Sequence, residues 1–163
     1  MLALFDDASA AAGAARTLRG LGVAPERVSI VARSHDEEGV VARASGASPG
    51  SELEDSGTAS RLGELGAHLI AAIALVMPGI GPIVADGPLA AGLGEAAGHL
   101  AGGLGRMLEH VGLPRADAHE WEAQIRGGAF LVGAHVASSD VQRVHDVLVR
   151  AGSRQVAVGA WQD

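Results

Sequence analysis

Between Leu69 and Gly105 the chain is almost entirely Ala, Gly, Leu, Ile and Val, and from Ala67 to Ala85 it carries no formal charge. Pro78 and Pro82 interrupt that run, because proline lacks the backbone N–H and clashes with the preceding turn of a helix. The simplest reading is a hairpin of two small-residue helices. The first covers Arg61–Val76. A tight turn uses Pro78, Gly79, Gly81 and Pro82. Gly87 and Pro88 form the N-cap and first position of a second helix running to about Val111. On that second helix Ala90, Gly94, Gly98 and Gly102 recur every four residues, a stripe that lets two helix backbones approach closely. Each interior glycine costs roughly 1 kcal/mol relative to alanine, so the stripe implies a surface packed tightly against it. Gly79 and Gly81 also admit a backbone anion nest, although a tight turn explains them without a ligand.

The sequence on either side of this core reads as alternating strands and helices. Leu2–Phe5 is a short apolar strand, Asp6 or Asp7 an N-cap, and Ala11, Ala14, Ala15, Leu18 and Leu21 one face of a helix. Gly20 or Gly22 ends it, and Val28–Ala32 is a β-branched strand. Beyond the core, Pro114 opens a helix stopped by Gly127, and Phe130–Val136 is a strand. Ser139 and Gln142 have capping-box spacing. Val141, Val144, Leu148 and Ala151 line the next helix, capped by Gly152, and Val156–Ala160 is the last strand.

The two ends therefore repeat one pattern, strand–helix–strand. Two such units in a small chain predict an α+β fold: a four-stranded antiparallel sheet with helices on one face, the ferredoxin-like split βαβ arrangement. The chain divides into a first βαβ half (1–33), an acidic Ser/Gly-rich linker (34–60), the glycine/alanine-rich helical hairpin (61–112), and a helix plus the second βαβ half (113–163).

Composition narrows the function. Of the 163 residues 48% are hydrophobic but only 2% aromatic, so the core is built from small aliphatic groups. The formal net charge is −7, with no lysine, no tyrosine and no basic run, which argues against nucleic-acid binding. The absence of cysteine excludes disulfides and thiolate chemistry. The acidic Asp6 and Asp7 follow too soon after the first residues for a secretory signal peptide.

No catalytic constellation emerges. There is no Walker lysine, no nucleophile elbow and no HExxH. Glu95 and His99 share a helix face and His68 could lie opposite, but the spacing is not the Glu-x-x-His of bundle metal sites. His110, His119, His135 and His145 are scattered and read as partly exposed side chains. Trp121 reads as packing the Pro114 helix onto the sheet and Trp161 as covering the end of the last strand. No catalytic residue, metal ligand or cofactor is assigned.

Three motifs carry a resemblance: Pro78-Gly79-Ile80-Gly81-Pro82, Gly87-Pro88-Leu89-Ala90-Ala91 and Arg126-Gly127-Gly128. Together they make nearly the whole chain resemble the bacterial general stress protein 17M-like (heat-induced stress protein) family. The resemblance implies a stress-associated protein and brings no catalytic residues with it. The expected function is a non-enzymatic, cytoplasmic interaction protein that forms homo-oligomers through the stripe at Ala90, Gly94, Gly98 and Gly102. The alternatives are shallow membrane insertion of the hairpin, which is too short before Pro78 to span, and a small-ligand or metal-binding sensor.

Overall fold

The computed structural model describes residues 1–33, 73–77, 81–86, 88–89 and 103–160. It is an α+β protein. Strand β1 (Leu2–Phe5) is followed by helix α1 (Ala8–Gly20) and β2 (Val28–Arg33). Next come β3 (Ile73–Met77), β4 (Gly81–Asp86), α2 (Gly103–His110) and α3 (Arg115–Arg126). The chain closes with β5 (Phe130–Ala134), α4 (Val141–Arg150) and β6 (Gln155–Ala157).

Local chemistry sets most of these boundaries. The Asp7 carboxylate accepts the Ala10 N–H at 2.9 Å and starts α1, supplying a partner that the first turn otherwise lacks. Gly22, at φ +89, takes the left-handed conformation just past the end of α1. Pro114 precedes α3, and Gly127 is its C-cap, with Gly128 left-handed beyond. Ser139 and Gln142 do not form the expected capping box. Residues Ser138–Asp140 are a 3-10 turn, Asp140 caps α4 without a side-chain bond, and Gln142 instead reaches forward to Asp146 at 2.9 Å.

Among the described residues the six strands form one sheet in the order β3-β4-β2-β5-β1-β6. Every neighbouring pair is antiparallel. β5 lies between β1 and β2, and β1 lies between β5 and β6, so the two strand–helix–strand units interleave. Alternation along the strands divides the core in two. Ala3, Phe5, Ile30 and Val132 join the inner faces of α1 and α4. Leu2, Leu4, Val31 and Leu131 join α2, α3 and Leu89. The inner face of α1 is mostly alanine (Ala11, Ala14, Ala15 and Leu18, all buried).

The structure corrects several expectations. The sheet has six strands where four were expected, and helices cover both faces where one was expected. The helical reading of the first hairpin arm fails at Ile73–Val76, which is strand, and Gly81 and Pro82 lie inside β4 rather than in an interhelical turn. The physical reason is edge pairing. β2 offers a free edge to β4, and a stretch rich in Ile and Val satisfies its backbone there, whereas two prolines and two glycines within five residues oppose a helix. The single second helix also fails. Pro88 and Leu89 are helical, but Gly103 has φ +59, a left-handed residue that separates α2 from whatever precedes it. The strands β5 and β6 end at Ala134 and Ala157, short of Val136 and Ala160. The linker 34–60, Pro78, Gly79, and Ala90, Gly94, Gly98 and Gly102 lie outside the described residues.

Gly112 closes α2 at φ +93, and a β-carbon there would stand 2.5 Å from the Ala160 amide nitrogen. Gly159 approaches the Val111 carbonyl from the other side. Gly112→Val is expected to cost more than about 2 kcal/mol by urea denaturation, through strain at a left-handed residue and the backbone clash. Gly20→Ala, with no atom within 4 Å of the added carbon, is expected to be neutral or stabilising by up to about 1 kcal/mol.

Candidate functional site

Three polar contacts organise the inserted part of the chain, two of them to the sheet and one between its own helices. The first is Ser29, the second residue of β2 and 1% exposed. Its hydroxyl accepts the Leu89 N–H at 3.1 Å. Leu89 follows Pro88 in a helical segment, where the first N–H groups have no intrahelical partner, so Ser29 caps that segment from the sheet. The Leu89 side chain, 1% exposed, lies over Gly133, the residue paired with Ser29 on β5. A β-carbon at Gly133 would come within 2.9 Å of Leu89 Cδ1, so the glycine makes the seat.

The second contact joins α2 to α3. Glu122 Oε2 accepts the Gly105 N–H at 3.1 Å, and Glu122 Oε1 takes the Arg126 guanidinium at 3.0 Å. Gly105 sits in the first turn of α2, so a carboxylate from the neighbouring helix satisfies an otherwise open donor. A β-carbon on Gly105 would reach 2.5 Å from that carboxylate. Arg33 Nη1 also donates to the Arg126 carbonyl at 3.0 Å, tying the end of β2 to the end of α3.

These contacts bracket the glycine stripe. Leu89 before it and Leu104 after it belong to one buried cluster with Leu2, Leu4 and Leu131. Both ends of the segment carrying Ala90, Gly94 and Gly98 are therefore anchored on this chain's own sheet. Trp121, 4% exposed, is in the same cluster, as expected.

A shallow cleft of about 290 Å³ opens between the α1–β2 and β5–α4 connections. Glu26, Arg27, His135, Asp140 and Arg143 line it above Val144. Two arginines and two carboxylates are among its lining residues, so it presents no excess of either charge. His110, His119 and His135 are exposed. His145 Nδ1 is 3.4 Å from Asp146. Hydrogen bonds from Gln142 and then His145 hold the Asp146 carboxyl below its ordinary range. Among the described residues no three His, Cys, Asp or Glu side chains converge as a metal site would need, and no helix is long and apolar enough to cross a membrane. His68, Glu95, His99 and Trp161 lie outside the described residues.

The remaining feature is the sheet's outer edge at β3. Ser29, Glu122 and this edge carry no role that the sequence alone assigns. Ser29 had a signal, a polar residue inside the β-branched run VSIVA. Glu122 had none, because its partner is a backbone amide on another helix. In comparisons with known proteins no family model matches the chain, and no curated protein or solved structure does.

Ser29→Ala is expected to leave the buried Leu89 N–H unpaired and to lower stability by about 1–3 kcal/mol, and Leu89→Ala by about 2–5 kcal/mol. Both are read as shifts of the urea midpoint at constant slope. A Ser29→Ala midpoint equal to that of the unmutated chain would mean that the seat contributes nothing.

Proposed function

We propose that this chain is a non-enzymatic, stress-associated interaction protein that assembles with copies of itself. The stress association rests on its resemblance to the general stress protein 17M-like family. We read the four strands β6-β1-β5-β2 with α1 and α4 as a ferredoxin-like split βαβ unit, and their interleaved order supports that reading. Such a unit is complete without β3 and β4.

The observation that carries the proposal is the hairpin added to it. β3 and β4 extend the sheet beyond β2 and end it on a five-residue strand, Ile73–Met77, with no charged residue. Natural sheets usually blunt an edge with charge, proline or a short strand, because open N–H and C=O groups are a template for pairing. β6, at the other edge, is blunted in this way. It has three residues, its Gln155 is bonded to Glu120 and Gln124 of α3, and Arg154 beside it pairs with Asp6. β3 has none of these protections among the described residues.

The deciding experiment is native mass by light scattering in detergent-free buffer. A discrete multiple of the chain mass is the expected result, and a monomer at all accessible concentrations would overturn the reading. Gly98→Leu separates two surfaces. If assembly uses the sheet edge, the oligomer mass is unchanged. Loss of the oligomer in that variant would return assembly to the stripe at Ala90, Gly94, Gly98 and Gly102. Protein that stays in solution only with detergent would move the reading to membrane insertion.

A further inference from the structure

The backbone ladder fixes which groups of β3 have no partner strand among the described residues. Met1 and Ala134 exchange both hydrogen bonds, Ala134 N to Met1 O at 2.9 Å and Met1 N to Ala134 O at 3.0 Å. In antiparallel pairs bonded and non-bonded positions alternate. On β5, Val132 and Phe130 therefore face β1, and Leu131 and Gly133 face β2. His135 N donates to Arg27 O at 2.9 Å, which keeps the same phase. Through the β2–β5 register, Ser29 and Val31 turn to β5, so Ile30 and Ala32 turn to β4, opposite Asp86 and Val84. Ile83 and Ala85 then face β3, opposite Leu75 and Ile73. Among the described residues no strand lies beyond β3, and Ala74 and Val76 are left with their N–H and C=O groups pointing away from the sheet.

Pro82 gives an independent check. It is opposite Val76, and the phase makes that pair non-hydrogen-bonded. The one residue of β4 that has no N–H thus sits where β3 asks for none, and the β2–β4 register begins only at Ile83. A proline in a sheet is confined to such places.

We infer that β3 is the docking edge for β3 of a second copy of this chain, the two strands running antiparallel about a two-fold axis at Leu75. The inference rests on the self-assembly proposed above and specifies its surface. Two features select a second copy. The open groups are self-complementary: about an axis at Leu75, Ala74 of one copy is opposite Val76 of the other. Each of the two symmetry-related pairs exchanges two bonds, as an isologous contact requires. The charge pattern favours the same contact. Each copy carries a formal net charge of −7, so two copies repel over most of their surfaces. From Ala67 to Ala85 the chain has no charge at all, and β3 lies inside that stretch. The result is one continuous sheet across both copies.

The chain has no cysteine, so a single introduced thiol reports the register. In this arrangement Leu75 meets its own counterpart in a non-hydrogen-bonded pair with Cα atoms about 4.5 Å apart, within disulfide range. Ile73 and Met77 each lie more than about 13 Å from their own counterparts but opposite each other. Under mild oxidation Leu75→Cys is expected to give a reducible dimer at least about tenfold more efficiently than Ile73→Cys or Met77→Cys alone, since only its thiols fall within the roughly 7 Å that a disulfide tolerates. A mixture of the last two, differently tagged, is expected to crosslink between chains. In the unmutated protein, hydrogen exchange at Ala74 and Val76 is expected to slow as concentration rises through the dimerisation range.

A dimeric native mass with no preference for Leu75→Cys, or with no added protection at Ala74 and Val76, would overturn the edge pairing and leave self-assembly standing. A monomeric native mass would overturn both. The exchange measurement needs no substitution, so a misfolded cysteine variant does not leave the question open.

Discussion

The two-sided burial of β1 is the constraint on which the other layers depend. Leu2, Ala3, Leu4 and Phe5 are each at most 1% exposed. Alternation sends Leu2 and Leu4 to the α2–α3 side and Ala3 and Phe5 to the α1–α4 side. A strand of four residues can be buried on both faces only if each face has its own helical layer, and only if its backbone is paired on both edges. β5 and β6 supply the pairing. The long insertion supplies the second layer, so it completes the core of the βαβ pair and does not stand apart from it.

That arrangement explains where the few buried polar contacts fall. The insertion has to be held where it leaves and rejoins the sheet, and small residues cannot do this by area alone at about 25 cal/mol per Å². Ser29 fixes the backbone at Leu89, and Glu122 fixes the start of α2 at Gly105. In both cases a side chain from a well-packed element satisfies the amide of a first helical turn. Gly133 and Gly105 give up side-chain volume to let the contacts close.

The flanking units were legible because local signals and tertiary packing agree there. Asp7, Gly22, Pro114 and Gly152 mark boundaries by backbone chemistry, and the alanine face of α1 follows a helical period. The core was misread at Ile73–Met77 because a short apolar run has no period that separates a buried strand from a helix. What decided the outcome was the free edge of β2, some forty residues earlier in the chain. The same reasoning explains the missed second layer. No local pattern in GLGRMLEH says which face of a sheet Leu104 and Leu108 will cover. The predicted stripe lies outside the described residues, and the residues that flank it, Leu89 and Leu104, belong to the buried cluster. The proposed docking edge could not be read before the strand order was known, since Ala74 and Val76 differ from their neighbours only in the direction of their backbone groups.

The pairing of Met1 with Ala134 spans 133 positions, and β5 is the strand that joins β1 to β2. Until β5 is made, neither strand of the first unit has its central neighbour. Contacts this distant fold slowly, because the loop between them must close before any bond repays it. At synthesis rates of about 5–20 residues per second, β1 leaves the ribosome several seconds to roughly half a minute before its partner exists. For the later part of that interval the uncharged β3–β4 stretch is present as well. The chain thus makes β1 and β2 first and the strand that joins them near the end, so both wait with an unpaired edge in every newly made copy, a state that favours escorted folding.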